Sequence, residues 1–272
     1  MSGMLRSVQR HLAPRDGGSS RCSAVRASST DEAAVLDVFD PHFHLFDPVA
    51  VHNGKRSDGS SFVAYNQPDY EQDMARMPAD FRHVGGCWVE AMSVCFVALD
   101  APALQQHCVA EAAFVATELK NSSLEYVLCA SACLEDPAVS ETLRRLVKLH
   151  PGMRAIRQIA NVSPDWPRNG LLGDLVRQPQ WRAGYKQLAR FGLGFDLQCN
   201  PWQLESYIEE VVVPNPAVPC VLNHIGCPLL AELSTPDRAA IYWKGMEALV
   251  RCQHGARAST GQHTSCWSGL AA

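Results

Sequence analysis

From position 35 onward, short apolar runs rich in β-branched and aromatic residues alternate with longer stretches whose apolar residues recur every three or four positions. The short runs at 35–40, 84–90, 124–130, 153–159, 193–198 and 220–225 read as strands. The longer stretches at 101–119, 137–150, 171–191, 202–212 and 235–250 read as helices. Turn residues sharpen the boundaries: Pro137 can open a helix, Pro151-Gly152 parts a helix from a strand, and Gly192-Leu193-Gly194 leads into the next strand. Strand-helix alternation of this kind implies parallel strands joined by crossover helices. The connection at 48–78 is long and carries no strand pattern, so it reads as an active-site loop holding a short helix.

Polar residues interrupt the apolar pattern at one end of the strands. His42 and His44 follow the first, Glu90 the second, Arg157 and Gln158 with Asn161 the fourth, Asp196 and Gln198 the fifth, and Asn223 and His224 the sixth. Ionisable side chains are expensive in a core, so their recurrence at five strand ends in six points to one shared pocket. A dinucleotide-binding sheet would place Gly-x-Gly-x-x-Gly after its first strand, and Asp40-Pro41-His42-Phe43-His44 stands there instead. A barrel gathers functional residues at the carboxyl ends of its strands, which matches this distribution. On an uninterrupted strand Asp40, His42 and His44 share a face, so the two imidazoles could hold a divalent cation while Asp40 orients one of them.

Composition narrows the class. A chain of 272 residues, 47% hydrophobic and 19% charged, can bury a sizeable core. Its net charge of -4, without a basic run in the body, argues against nucleic acid as a partner and for a small molecule. Eleven cysteines with no Cys-x-x-Cys fit buried free thiols better than a disulfide framework. No apolar run approaches the roughly 18 residues that span a bilayer, so no membrane contact is expected. Residues 1–30 carry Arg6, Arg10, Arg15, Arg21 and Arg26 and seven serines against the single acidic Asp16. That is the composition of a disordered transit peptide, with chloroplast import the expectation, mitochondrial import the alternative, and the cytoplasm the location if the segment is not a targeting signal.

Five segments together resemble the amidohydrolase-related family, within the branch of sugar lactonases and 2-pyrone-4,6-dicarboxylate lactonase. They are Phe39-Asp40-Pro41-His42-Phe43-His44-Leu45-Phe46-Asp47, Trp88-Val89-Glu90-Ala91, Arg154-Ala155-Ile156-Arg157-Gln158-Ile159, Phe195-Asp196-Leu197-Gln198 and Asn223-His224-Ile225-Gly226-Cys227-Pro228. The resemblance runs from about 35 to 250. It implies an α/β fold, a (β/α)8 TIM-type barrel, and hydrolysis of a small lactone or carboxylated ring by an activated water. By the same resemblance His42 and His44 are metal ligands and His224 is a ligand or catalytic group. Arg157 is catalytic or substrate-binding, with Glu90, Asp196, Gln198 and Asn223 around the substrate. No histidine follows the fifth strand and no bridging lysine or glutamate the fourth, which implies a single divalent ion of zinc type, or none, since some members of that branch act without metal.

The family pattern continues for two more strands and ends in an aspartate that takes the proton from water. Residues 251–272 contain no Asp or Glu and no strand pattern, so they read as an irregular tail and the barrel as incomplete, with about six βα units and its last two strands missing. Open first and sixth edges invite a partner, a homo-oligomer included. Three readings stand at this point: a lactone hydrolase, a catalytically inactive truncated form that binds a ligand or partner, and a decarboxylase of the same superfamily. His52, His83, His107 and His150 fall outside the strand ends and read as surface residues.

Overall fold

The computed structural model describes residues 35–47, 64–91, 100–162, 172–260 and 267–268, with backbone alone beyond Cys252. The expected transit peptide at 1–30, His52, most of the loop at 48–78, and the side chains of His254 and His263 lie outside the described residues.

Six parallel strands run in chain order, each paired with the next: β1 (Leu36–Phe43), β2 (Phe81–Val89), β3 (Glu125–Ser131), β4 (Met153–Arg157), β5 (Gly194–Leu197) and β6 (Cys220–Leu222). The intervening helices are α1 (Gln67–Met74), α2 (Ala101–Glu118), α3 (Val139–Leu149), α4 (Pro179–Gln187), α5 (Pro201–Tyr207), the short α6 (Leu230–Leu233) and α7 (Pro236–Thr260). This is an incomplete TIM-type barrel, as the strand-helix alternation implies. The short helix anticipated inside 48–78 is α1, capped reciprocally by Asn66 and Asp69.

Local chemistry explains the elements. Asp100 accepts from the Ala103 N–H at 2.9 Å, and a proline in the first turn helps to start α2. In α3, Val139, Thr142, Leu143 and Leu146 recur at helical spacing and are buried. The helix expected at 171–191 is broken: a 3-10 turn at Leu175–Arg177 precedes α4, and Leu188–Phe191 closes as a second 3-10 turn on Gly192, whose φ is 65°. Trp181 packs edge-on against Phe195 and Tyr207 at ring distances of 5.7 and 5.6 Å, fastening α4 and α5 to β5. Among the described residues no helix is long and apolar enough to cross a membrane. The described cysteines are free, and Cys108, Cys129, Cys133, Cys199 and Cys220 are buried.

Three expectations are corrected. The tail is not wholly irregular, because α7 continues past Val250 to Thr260; Arg251, Gln253, Ala256, Arg257 and Ala258 are good helix formers although they carry no apolar stripe. The edge of β6 is not bare, because Trp267–Ser268 pair with Val221 and Leu222 as a two-residue β7. A ladder that short follows its neighbour's exposed backbone and leaves no periodicity to read. Finally, β1 is not an uninterrupted strand. Between Asp40 and Phe43 it advances three residues while β2 advances two, from Gly86 to Trp88, which marks a β-bulge at Pro41 and His42. Proline has no N–H to give to a ladder, and an edge strand with a bulge is where a sheet accommodates it.

Candidate active site

The bulge sets the position of His42. Its imidazole does not share a regular face with Asp40; instead the Asp40 carboxylate accepts from the His42 backbone N–H at 3.0 Å and from the Tyr70 hydroxyl at 3.1 Å. Asp40 therefore fixes the bulged backbone and orients neither imidazole directly. Tyr70 also meets His83 Nε2 at 3.1 Å, so His83 is half-buried in a polar chain and is not a free surface residue.

His44 is oriented from β2. Its Nδ1 lies 2.8 Å from the Val89 carbonyl oxygen, which can only accept, so Nδ1 carries the proton and Nε2 the lone pair. The fully buried Trp88 donates from its indole N–H to the Leu45 carbonyl at 3.2 Å, tying the residue after His44 to the same strand. His44 Nε2 then faces His42 Nε2 at 3.3 Å, with the two rings perpendicular. The His224 ring stands beside them, its centroid 5.2 Å from that of His42.

His224 reaches this place through an unusual backbone. β6 stops at Leu222, three residues short of the expected strand end, and His224, Ile225, Gly226 and Cys227 all have positive φ, at 47°, 47°, 82° and 52°. One left-handed turn results, closed by the Cys227 N–H donating to the His224 carbonyl at 2.8 Å and braced by the Tyr242 hydroxyl on the Ile225 carbonyl at 3.0 Å. Left-handed backbone at a β-branched residue is costly, and such strain gathers at functional sites.

Behind the histidines lies a buried polar layer built on Arg157. Its Nε donates to Glu90 Oε1 at 2.8 Å, and its terminal nitrogens donate to the Glu90 carbonyl oxygen, to Gln198 Oε1 at 3.2 Å and to Asn223 Oδ1 at 3.2 Å. The amide nitrogen of Asn223 donates onward to Asp196 at 3.2 Å. The Glu90 and Arg157 side chains are 2% and 4% exposed, so this is a buried ion pair. Glu90 Oε2 is equally buried and has no hydrogen-bond partner among the described residues.

Electrostatics follow from this layer. Burial and then the Arg157 charge, with smaller contributions from His44 and His224, hold His42 down to about 3. Burial lowers His44 and His224 as well, and Arg157 adds to both. All three imidazoles are thus kept neutral, the form that binds metal or accepts a proton. Burial raises the Asp196 carboxyl despite its bond from Asn223 and the nearby Arg157.

Every residue singled out from the sequence as ligand, catalytic or substrate-binding therefore falls in one connected region: His42, His44 and His224 above, Glu90, Arg157, Gln198, Asn223 and Asp196 beneath. The structure gives Arg157 a different place from that of a substrate clamp, since four acceptors of the protein already engage it. Among the described residues no three His, Cys, Asp or Glu side chains are arranged together to hold a metal, so His224 adjoins the pair of His42 and His44 without completing a three-ligand set. Sequence reasoning missed Tyr70 and Val89, a helix residue and a backbone oxygen that carry no signal of their own.

No family model matches the chain. A curated protein of Sinorhizobium fredii, described as uncharacterized protein y4mH, is 27% identical over 237 residues, covering 86% of this chain and 75% of its own length. An amidohydrolase from Burkholderia multivorans, solved with bound HEPES, superposes with a TM-score of 0.55 at 16% identity, over 81% of this chain and 68% of that one. A second crystal form of it, with bound zinc, gives 0.54 at 15% identity over the same shares. The fold is that of the amidohydrolase barrels.

Proposed function

We propose that the chain is a hydrolase of the amidohydrolase-related family that opens a small lactone by attack of water on its carbonyl, with a divalent ion of zinc type held by His42 and His44. The observation that carries this reading is the 3.3 Å between the two Nε2 atoms, one of them shown by the Val89 contact to bear a lone pair. Two nitrogens bound to one tetrahedral zinc at ~2.0–2.1 Å stand about 3.3–3.4 Å apart. Without an ion the same separation is spanned by a hydrogen bond from His42 Nε2–H to the bare His44 Nε2. The donor set thus fits a single ion bound by two imidazoles. Such an ion supplies Lewis acidity at the carbonyl and a more acidic water.

The chain's own groups do the rest. Water attacks the carbonyl carbon, the carbonyl π pair moves to oxygen, and its return breaks the bond to the ring oxygen. His224, neutral and exposed beside His42, accepts the proton from water and returns it to the leaving alkoxide. The product is the open hydroxy acid. Arg157 adds to the burial that keeps the imidazoles neutral, and it holds the Gln198 side-chain oxygen at 3.2 Å.

The test is lactone hydrolysis, followed by proton release, by chelator-treated protein before and after zinc is restored. Activity that returns with zinc and is lost in His42→Ala and His44→Ala supports the reading. Carbon dioxide release from an aromatic acid without any lactone opening would assign the site to decarboxylation and overturn it.

A further inference from the structure

A cavity opens at the rim of the barrel, beyond the three histidines. It encloses about 190 Å³ between the start of α5, the loop that follows the left-handed turn, and the start of α7. Trp202, Leu229, Ile241 and Tyr242 line it with Pro201 and Pro228. Three of these large apolar residues are about half exposed or more: Trp202 is 52% exposed, Leu229 64% and Ile241 48%. Scattered exposed apolar residues need no explanation, but several converging on one concavity mark a binding surface.

Place, size and charge indicate the occupant. α5 starts directly after β5 and the Cys227-Pro228 segment directly after the turn that carries His224, so the cavity lies at the end of the strands where the candidate site stands. Cys227, on its wall, donates its backbone N–H to the His224 carbonyl at 2.8 Å. An apolar cavity of ~150 Å³ accepts a benzene ring, and this one, at about 190 Å³, leaves room for one ring and its link to the carbonyl. Its charged members cancel, since Arg238 pairs with Glu232 at 2.7 Å, and Arg157 is committed to the protein. The lining therefore carries no net charge to draw in a carboxylate, whereas Trp202 and Tyr242 offer aromatic faces and edges.

We propose that this rim cavity seats a single uncharged aromatic ring, borne by the substrate next to the carbonyl that the histidines act upon. That the ring belongs to a lactone rests on the hydrolase reading; that the cavity binds a ring does not. An aryl-substituted lactone, and not a sugar lactone or a ring dicarboxylate, is then the substrate class.

Two measurements separate these claims. Fluorobenzene titrated into the full chain and followed by its fluorine resonance should bind the wild-type protein, and Trp202→Ala and Ile241→Ala should each weaken it by about tenfold. In parallel, kcat/KM for α-phenyl-γ-butyrolactone should fall by about tenfold in Trp202→Ala while that for unsubstituted γ-butyrolactone is unchanged. Fluorobenzene binding that depends on Trp202, without hydrolysis of either lactone, upholds the cavity and removes the hydrolase reading. Absence of fluorobenzene binding overturns the cavity, as does binding indifferent to both substitutions. A dimer that Trp202→Ala converts to monomer, with no fluorobenzene bound, would overturn it too by showing that a second copy covers this face.

Discussion

Replacing Arg157 by methionine should destabilise the protein by about 3–5 kcal/mol, the range for removing one partner of a buried ion pair. The structure places the effect in that range because both side chains are under 5% exposed, so water cannot replace the lost partner. Four acceptors lose their donor at once: Glu90 Oε1, the Glu90 carbonyl, Gln198 Oε1 and Asn223 Oδ1. At ~2–4 °C per kcal/mol for a chain of this size, the melting temperature should fall by roughly 6–20 °C. Urea unfolding followed by far-UV circular dichroism measures the loss. The double variant Glu90→Gln/Arg157→Met isolates its cause, because it removes the stranded charge and keeps the volume; it should recover about 2 kcal/mol of the deficit. A single variant within about 1 kcal/mol of wild type would refute the argument, and so would a double variant no more stable than the single one. The first result would mean that the pair is not sealed from water, the second that Arg157 matters through packing alone.

Other outcomes follow from the same geometry. In chelator-treated protein His42 has a folded-state pKa of about 3 against 6.5 when unfolded, so the unfolded chain takes up a proton first as pH falls; stability should therefore drop from about pH 6.5 downward. Allowing for the part of the ring that solvent screens, the loss at pH 5 should be about 1 kcal/mol, and His42→Gln should flatten that limb of the unfolding curve. Zinc titrated calorimetrically into metal-free protein should bind one ion per chain, and His44→Ala should abolish it; an unchanged isotherm would remove the site. Gly85 has a φ of 154° and an added Cβ would lie 1.9 Å from the Glu125 carbonyl oxygen, so Gly85→Ala should cost about 3 kcal/mol by forcing β2 from β3. A variant that unfolds at the wild-type urea concentration would contradict that strand spacing.

What could be read in advance was whatever follows from side-chain type repeated at a fixed period. Strand and helix alternation yields the barrel topology, and polar residues that end apolar runs yield the set of side chains that the fold brings together, from His42 to His224. What could not be read depends on backbone departures and long-range partners. The bulge at Pro41 and His42 shifts one residue against β2, which no periodicity records. The commitment of Arg157 depends on oxygens 41, 66 and 67 residues away. The role of Val89 is that of a carbonyl, and every residue has one.

The turn at His224 is the sharpest case, and it can be tested by a substitution whose cost differs between the two backbones. If Ile225 continued β6 as its side-chain type suggests, glycine there would remove a strand side chain and loosen the chain, for a loss of about 3 kcal/mol. In the left-handed turn the balance differs. Relief of the β-branched residue at φ 47° returns ~1–2 kcal/mol. Against this stand ~0.5–1 kcal/mol of glycine entropy and about 1 kcal/mol for a half-buried side chain. Ile225→Gly should accordingly stay within about 1 kcal/mol of wild type by urea unfolding, and a loss above about 3 kcal/mol would restore the strand. The difference matters for chemistry because this turn, held by Tyr242 and closed on Cys227, swings the His224 ring to 5.2 Å from His42 and the following segment onto the rim cavity. His224 and the rim cavity are then set by one strained turn, and under the proposed function a variant that relaxes it should lose discrimination between phenyl-substituted and plain lactones before it loses stability.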